Sequence, residues 1–390
     1  MRIDADHAAT TRLAPEVLDA MRPYLEDAYG NASSVHARGE AARDAVETAR
    51  LEVAGLIGAQ PEEIVFTASG SEANNLALKG AVAALADAGR RRVLVSAIEH
   101  PSVLETARHL GTLGFEVVLL PVLANGIVDL DALRDALAED VALVSVMAVN
   151  NETGAIQPVE DIGPFVQQAG ALFHVDAVQA AGKRPVAVDA CKADLLTIAG
   201  HKLHGPLGAA ALFVRRRTRL VPLVHGGRQE RGRRAGTENL AAIVGRGAAA
   251  ARARGLLAAG APHATEARGE RLLAELLLRV PDTRLNGDLN QRVGSIVNLC
   301  FLGVDGEAVL HELDAAGVSV STGSACSSGE PGPSHVLTAM GLRPEDAHAS
   351  VRFSLGTDTR ESDIDYIAEV TPPIVERLRG LSGRAIEMSA

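Results

Sequence analysis

The sequence is poor in the residues on which nucleic-acid binding depends. It has no tryptophan, its aromatic content is 3%, and its 38 basic residues are outnumbered by 49 acidic ones. Proteins that bind a nucleic-acid backbone gain affinity from Lys and Arg clusters that neutralise phosphates. The net charge of −11 therefore argues against direct nucleic-acid binding and favours an enzyme that acts on small molecules.

Cysteine is also scarce, since the chain has only Cys191, Cys300 and Cys326. An odd number of cysteines, far apart and outside any CxxC pattern, does not predict a disulfide framework. Cys300 lies in an apolar run, and we expect it and Cys191 to be buried structural residues. Any cysteine with a special function here must use its thiol.

Long apolar runs are absent as well. No basic leader opens the sequence, and no uninterrupted apolar run reaches the length of about 20 residues that spans a bilayer. We therefore expect a cytoplasmic protein with no membrane partner.

The chain is long enough for two domains, because 390 residues with 47% hydrophobic content exceed what one core usually supports. We predict a large domain over residues 15–260 and a smaller α+β domain formed by residues 1–14 and 261–390. The pattern of elements changes near residue 260. Beyond it come a helical stretch at 266–279 and separate strand-like runs at 295–301, 318–321 and 351–355.

The predicted large domain alternates strands with helices. Seven short apolar runs are separated by segments of helical period, which is typical of a mainly parallel sheet covered by helices on both faces. The fold class is therefore α/β with a seven-stranded sheet. The seven runs cover residues 64–66, 93–96, 117–120, 143–148, 172–175, 195–198 and 210–214.

The segment after the first run, residues 67–75 (TASGSEANN), leads directly into a helical pattern. Free backbone NH groups at a helix N-terminus can bind an anion such as phosphate. The same small polar residues also form ordinary helix caps, so this segment alone leaves both interpretations open.

Polar residues follow four of the other runs, and in a parallel sheet such positions share one edge. Taken singly, each has an ordinary explanation: His100 as a loop histidine, Asn151 as a turn former, Asp176 as a helix cap and Lys202 as a surface lysine. The four segments are EHP at 99–101, NNETG at 150–154, HVDAVQ at 174–179 and GHK at 200–202.

Taken together, these residues predict a pyridoxal-phosphate site. The amine of Lys202 can attack an aldehyde, and the carboxylate of Asp176 can keep a pyridine nitrogen protonated, which makes the ring an electron sink. The imidazole of His100 can stack on the ring face. The amide of Gln179 can form a hydrogen bond with the phenolic oxygen.

Nine motifs extend this pattern from near the first residue to Gly356. They are AATT at 8–11, NASSVH at 31–36, AIEH at 97–100, VNNE at 149–152, HVDAVQ at 174–179, GHK at 200–202, ERGRRAGT at 230–237, GSAC at 323–326 and SVRFSLG at 350–356. In residues and order they resemble the cysteine desulfurases of the IscS/NifS class, within the class V aminotransferases. The resemblance implies a fold type I pyridoxal-phosphate-dependent transferase that works as a homodimer.

It also implies the reaction. L-cysteine would be converted to L-alanine, and the sulfur would be held as a persulfide on Cys326. A protein acceptor would then take the sulfur for iron–sulfur cluster assembly or for tRNA or cofactor thiolation. The stretch around Cys326, residues 321–329, contains only small residues apart from this cysteine, so we expect an accessible thiol whose thiolate is the nucleophile.

By the same resemblance, Lys202, Cys326 and His100 are the catalytic residues. Lys202 would hold the cofactor covalently, His100 would stack on its ring and move protons, and Asp176 would pair with the ring nitrogen. The remaining predicted contacts are Gly70, Ser71 and His201 at the phosphate with Thr237 of the partner subunit, Gln179 and Asn151 at the phenolic oxygen and the bound amino acid, and Arg352 at the substrate carboxylate. No metal site is implied.

Two positions depart from the family pattern. Ala199 stands where a serine usually precedes the His-Lys pair by two positions, and Ser71 stands where threonine is common. One hydroxyl contact to the phosphate is therefore missing. We expect weaker cofactor retention without loss of activity.

Several alternatives remain open at this point. A selenocysteine lyase or another fold type I enzyme would share Lys202 and Asp176, and the GSAC segment favours the desulfurase. A metal-binding module would need ligand pairs that the three cysteines lack. A catalytically silent partner is disfavoured by the intact Lys202, His100 and Cys326. The sequence does not rank the possible sulfur acceptors or cysteine against selenocysteine.

Overall fold

The computed structural model describes residues 2–85, 89–323 and 332–382. The strands are β1 (Ile3–Asp4), β2 (Ile64–Thr67), β3 (Arg92–Ser96), β4 (Glu116–Leu120), β5 (Val141–Ser145), β6 (Leu172–Asp176), β7 (Leu195–Ala199), β8 (Ala210–Val214), β9 (Thr283–Leu285), β10 (Ile296–Phe301), β11 (Val318–Ser319) and β12 (Ser350–Ser354). The α-helices are α1 (Pro15–Glu26), α2 (Ala37–Ile57), α3 (Gly70–Leu85), α4 (Pro101–Thr112), α5 (Leu130–Ala136), α6 (Val159–Gln168), α7 (Leu240–Ala258), α8 (Ala261–Arg279), α9 (Gly306–Ala315), α10 (His335–Ala339), α11 (Pro344–His348) and α12 (Glu361–Ser382).

Seven strands form the central sheet in the order β2-β8-β7-β6-β5-β3-β4. Each of the seven predicted runs corresponds to one of them. Neighbouring strands are parallel except at β8, which runs antiparallel to both β2 and β7. The predicted mainly parallel α/β sheet is therefore confirmed. Because β3, β5, β6 and β7 run in the same direction, their carboxyl ends lie at one edge.

Helices cover both faces of this sheet, and the side chains of β3 show it. Val93 and Val95 pack into one apolar cluster with α3 and α4. Leu94, between them, packs into the opposite cluster with residues of α1, α2 and α7. Burial on both faces explains why the central strands are continuously apolar rather than alternating. The edge strand β4 is only partly buried.

A separate apolar cluster lies in the C-terminal part of the chain. It combines α8, α9 and α12 with the antiparallel sheet β9-β10-β12, and it also includes Ile3 and Ala5 of the N-terminal segment. Strand β1 pairs in parallel with β11, with Ile3 opposite Val318. The first residues of the chain thus belong to the C-terminal core. This arrangement supports the predicted boundary near residue 260, which we keep as a proposal.

Two short strands were not predicted. Strand β1 has two residues and β9 has three, and neither carries an apolar run long enough to be distinguished from a loop. Their pairing with β11 and β10 depends on contacts between distant segments of the chain.

The two described cysteines are buried, as predicted. Cys191 and Cys300 are each 2% exposed and form no disulfide. The Cys300 thiol donates to the Asp346 carbonyl at 3.2 Å. Burial, reinforced by the nearby Asp346 carboxylate, raises the pKa of Cys300 to about 11, so this thiol is inert near neutral pH. Among the described residues, no helix is both long and apolar enough to cross a bilayer.

A buried ion pair fastens α2 to the central sheet. The Arg50 guanidinium binds both oxygens of Glu230, at 2.8 and 2.9 Å, and the two residues are 3% and 7% exposed. Glu230 also accepts the backbone NH of Phe66 at 2.8 Å, and Arg50 donates to the carbonyl of Ile64 at 2.9 Å. The pair therefore connects a helix, a strand and the 229–232 turn.

We expect the substitution Glu230→Gln to lower the free energy of unfolding by about 3 kcal/mol, because it removes the buried carboxylate of the pair and leaves Arg50 only the half-exposed carboxylate of Glu47, at 3.1 Å. Denaturant unfolding measures this. The matched control is Glu116→Gln, whose carboxylate is 63% exposed and pairs with Arg92, and its cost should stay below about 1 kcal/mol. Equal losses in the two variants would contradict the prediction.

Candidate active site

The residues that follow the parallel strands line one pocket at the carboxyl edge of the sheet. Its volume is about 280 Å³. The N-terminal segment, the start of α3 and the loops after β3, β5, β6 and β7 all contribute. Eight of the predicted site residues line it: Gly70, Ser71, His100, Asn151, Asp176, Gln179, His201 and Lys202.

Lys202 enters the pocket from the 3₁₀ turn Gly200–Lys202, directly after β7. Its Nζ atom donates to the carbonyl oxygens of Ala8 and Ala9, each at 2.5 Å. The N-terminal segment therefore covers the amine, which is half-buried. This is a position from which a lysine can attack an aldehyde held in the pocket.

Asp176 ends β6 and is 5% exposed. Its Oδ1 atom accepts the backbone NH of Val178 at 2.9 Å, and its Oδ2 atom accepts the side-chain amide of Asn74 at 2.8 Å. Asn74 also donates to Ser102 at 2.9 Å. These bonds orient the carboxylate toward the pocket that it lines.

Asn74 and Ser102 were not among the predicted site residues. Asn74 lies in the first turns of α3, within the segment interpreted as an anion site, and is 1% exposed. Its Oδ1 atom is buried without a hydrogen-bond partner among the described residues. The sequence signal that could have identified Asn74 is a polar residue at a position of α3 that faces the core.

Two fully buried titratable side chains, Glu99 and His174, lie near Asp176. Burial, with the neighbouring Asp176 charge, raises the pKa of Glu99 to about 8, so this side chain is a neutral acid near pH 7. Burial lowers the pKa of His174 to about 4, so its ring is also neutral. It contacts Ser145 at 2.8 Å and Thr197 at 3.2 Å. The two buried titratable neighbours of Asp176, Glu99 and His174, are therefore both uncharged near neutral pH.

His100 is the N-cap of α4. Its Nδ1 atom accepts the backbone NH of Ser102 at 3.1 Å, so the neutral ring carries its proton on Nε2. Burial is the largest cause that lowers the pKa of His100, and the nearby Lys202 charge acts in the same direction. A neutral, oriented imidazole suits both ring stacking and proton transfer.

The start of α3 and the turn after β7 line the predicted phosphate end of the pocket. A Cβ atom at Gly70 would lie 3.6 Å from Cβ of Ala199, so residue 199 faces the start of α3. Burial and the positive Lys202, Lys183 and Arg246 lower the pKa of His201 to about 4. The free NH groups of a helix N-terminus and a neutral imidazole can both bind phosphate there.

Arg246 lies behind this end of the pocket and was not predicted. It is fully buried on α7, and a Cβ atom at Gly200 would lie 2.9 Å from its Cδ atom. Its three guanidinium nitrogens have no hydrogen-bond partner among the described residues. The only sequence signal is an arginine within an Ala-rich helical segment.

Three of the predicted residues do not line this pocket. Arg352 is 1% exposed and donates to the Asn151 carbonyl at 2.9 Å and to Asp6 at 2.6 Å. Binding a substrate carboxylate would require it to exchange the Asp6 contact. Thr237 is exposed and lies outside the pocket of this chain. Cys326 lies outside the described residues. The roles of all three stay predictions.

The donor set fits pyridoxal phosphate. The pocket supplies an amine, a carboxylate on a buried strand end, a neutral imidazole and a helix N-terminus, which match an aldehyde, a pyridine nitrogen, a ring face and a phosphate. The buried, unpaired Oδ1 of Asn74 is a further polar atom at the wall of this pocket.

Comparison with known proteins agrees with this geometry. A family described as aminotransferase class-V matches residues 4–367. This chain belongs to that family. A cysteine desulfurase of Trichormus azollae is 48% identical over 97% of this chain and 94% of its own length. The cysteine desulfurase IscS of Dictyoglomus turgidum is 44% identical over 97% and 95%.

Solved structures show the same relationship. A NifS-like protein superimposes with a TM-score of 0.91 at 35% identity. The superposition covers 97% of this chain and 100% of the NifS-like chain. A structure described as SspA in complex with cysteine has a TM-score of 0.79 at 34% identity, covering 91% of this chain and 99% of its own. The predicted membership of the IscS/NifS class and the fold type I architecture are confirmed.

We expect the substitution Ala199→Ser to slow cofactor loss by about 10-fold, the size of one hydrogen bond to a charged group. A hydroxyl at residue 199 would face the helix start that forms the predicted phosphate site. Dialysis against cofactor-free buffer, followed by the absorbance of the bound cofactor, measures retention. Ala138→Ser, at an exposed loop position, is the control. Equal retention by wild type and Ala199→Ser would count against the prediction.

Proposed function

We propose that the protein is a pyridoxal-phosphate-dependent cysteine desulfurase that converts L-cysteine to L-alanine and transfers the sulfur to Cys326 as a persulfide. The observation that carries the proposal is the convergence of Lys202, Asp176 and His100 on one pocket. The relatives named cysteine desulfurase, and the neighbour described as bound to cysteine, support the activity and the substrate.

When bound, pyridoxal phosphate supplies an electron sink that stabilises negative charge next to the substrate nitrogen. Lys202 would hold it through its amine, and the free NH groups at Gly70 and Ser71, with His201, would bind its phosphate. Asp176, whose two oxygens are held by the Val178 backbone NH and the Asn74 amide, would pair with the ring nitrogen and keep it protonated. The neutral ring of His100 would stack on the cofactor and carry protons.

The substrate would be oriented by Asn151 and Arg352. Arg352 is held against the Asn151 carbonyl and Asp6 by two hydrogen bonds. A planar guanidinium can bind both oxygens of an amino-acid carboxylate. Exchange of the Asp6 contact for the substrate would place that carboxylate next to Asn151.

The sulfur step is a nucleophilic displacement by Cys326. Its thiolate attacks the substrate sulfur, a sulfur–sulfur bond forms, and the bond between sulfur and the substrate β-carbon breaks. The electron pair of that bond passes to carbon, and protonation there gives alanine. The cysteine substrate thus oxidises the thiol to a persulfide and is itself reduced at carbon, so no external oxidant is needed.

The ends of the segment that carries Cys326 support this role. Ser334 donates to the buried carboxyl of Glu152 at 2.5 Å, and a Cβ atom on Gly323 would collide with the same Glu152 oxygen. Glu152 directly follows Asn151, which lines the pocket. Residues 323 and 334 therefore both lie beside the wall of the proposed active site.

Three further elements belong to the proposal. The working unit is a homodimer in which Thr237 of the partner subunit completes the phosphate site. A protein acceptor takes the persulfide sulfur for iron–sulfur cluster assembly or thiolation. The reaction takes place in the cytoplasm.

Reduction of the cofactor-loaded protein with borohydride should fix the pyridoxyl group on Lys202, because this is the amine that lines the pocket. Peptide mass spectrometry identifies the labelled residue. Lys202→Ala should take up no label, and the exposed Lys192 is the internal control for non-specific reaction. Labelling at any other lysine would refute the assignment.

The substitution Cys326→Ala should reduce alanine release from L-cysteine by orders of magnitude while the cofactor absorbance stays unchanged, because the sulfur acceptor is lost but the cofactor pocket is intact. Cys300→Ala is the control, since that thiol is buried. Alanine is measured without added keto acid, which distinguishes desulfuration from transamination. Mass spectrometry of Cys326 after turnover should show one added sulfur. Undiminished turnover by the variant would overturn this role.

A further inference from the structure

A second lysine is connected to the proposed cofactor lysine. Lys183 Nζ donates to Oε1 of Gln179 at 2.9 Å. Gln179 Nε2 donates to the Ala8 carbonyl at 2.8 Å, and the same carbonyl accepts Lys202 Nζ at 2.5 Å. The two lysines are therefore joined through one side-chain amide and one backbone carbonyl.

Both partners of Gln179 select the same amide orientation. A backbone carbonyl only accepts, so the NH₂ group must face Ala8, and Oε1 then faces Lys183, whose nitrogen can donate to it. Gln179 is 4% exposed and lines the pocket. One hydrogen of the NH₂ group is used by Ala8, and the second remains available for an acceptor in the pocket.

Lys183 is well placed to hold that orientation because it is partly buried and its nitrogen donates directly to the Gln179 oxygen. Burial, together with the positive Lys202 and Arg352, lowers the pKa of Lys183 to about 7. Lys183 itself does not line the pocket; the titratable groups that do are His100, Asp176, His201 and Lys202. The Lys183 nitrogen has N–H donors for Oε1 in either charge state.

We propose that Lys183 is a positioning residue of the cofactor site, which orients the Gln179 amide so that an N–H donor faces the phenolic oxygen of pyridoxal phosphate. The inference rests on the proposed function, since it requires that this cofactor occupies the pocket. Lys183 is not among the residues that line the pocket, so it would act on the cofactor only through the Gln179 amide. Its effect should therefore depend on the phenolic oxygen alone.

The test compares two ligands that differ only at that oxygen. The full-length apoprotein is titrated with pyridoxal phosphate and with 3-deoxypyridoxal phosphate, which lacks the phenolic oxygen, and binding is followed by absorbance. We expect Lys183→Met to weaken binding of pyridoxal phosphate by about 10-fold, as for one hydrogen bond to a charged group, and to leave the deoxy analogue within about 2-fold of wild type.

Three further variants sharpen the comparison. Lys183→Arg keeps a donor and should restore most of the affinity. In a Gln179→Ala background, Lys183→Met should have no further effect, because the amide that it orients is gone. Lys192→Met, at an exposed lysine, is the matched control and should not change either affinity. If Lys183→Met does not fold, Lys183→Ala provides the same loss of the donor without added bulk.

The outcomes separate the inference from the function on which it rests. Equal loss of both ligands in Lys183→Met would mean a merely structural role and would overturn the inference. Unchanged affinity for pyridoxal phosphate would overturn it as well. Failure of the proposed function has a different signature, because wild-type protein would then bind neither ligand at Lys202.

Discussion

The parallel alignment of four central strands is the constraint on which the site depends. Because β3, β5, β6 and β7 run in the same direction, the residues that follow them meet at one edge. His100, Asn151, Asp176 and Lys202 thus converge although the first and last are about a hundred positions apart in the sequence. Reversal of any one of these strands would move its functional residue to the opposite end of the sheet.

The two ends of the chain complete the pocket that the sheet begins. Strand β1 is fixed to β11 in the C-terminal core, and the residues after it cross to the carboxyl edge of the sheet. There Ala8 accepts hydrogen bonds from both Lys202 and Gln179, and Asp6 binds Arg352. The geometry of the amine and of the proposed substrate contact therefore depends on a segment that has little core of its own.

The electrostatics of the pocket follow from burial. Glu99, His174, His100 and His201 lose their charges near neutral pH because water no longer solvates the ionised forms. Asp176 accepts hydrogen bonds from the Val178 backbone NH and the Asn74 amide, which fix its orientation toward the pocket. An oriented Asp176 side chain beside the neutral Glu99 and His174 is suited to pair with a pyridine nitrogen. If Glu99 were charged, it would place a second anion beside Asp176.

The sequence by itself determined the α/β class, the seven strands, the family and eight pocket residues. Continuous apolar runs indicate strands that are buried on both faces, and the polar residues that follow them indicate one shared edge of the sheet. The structure alone decided the pairing of β1 with β11 and of β9 with β10, the hydrogen bond of Asn74 to Asp176, the burial of Arg246 and the bond of Lys183 to Gln179. These depend on contacts between distant segments, which no local period or motif encodes. Lys202 could be predicted because it directly follows a strand of the parallel sheet. Lys183 could not, because its hydrogen bond to Gln179 forms only when the loop after β6 is folded.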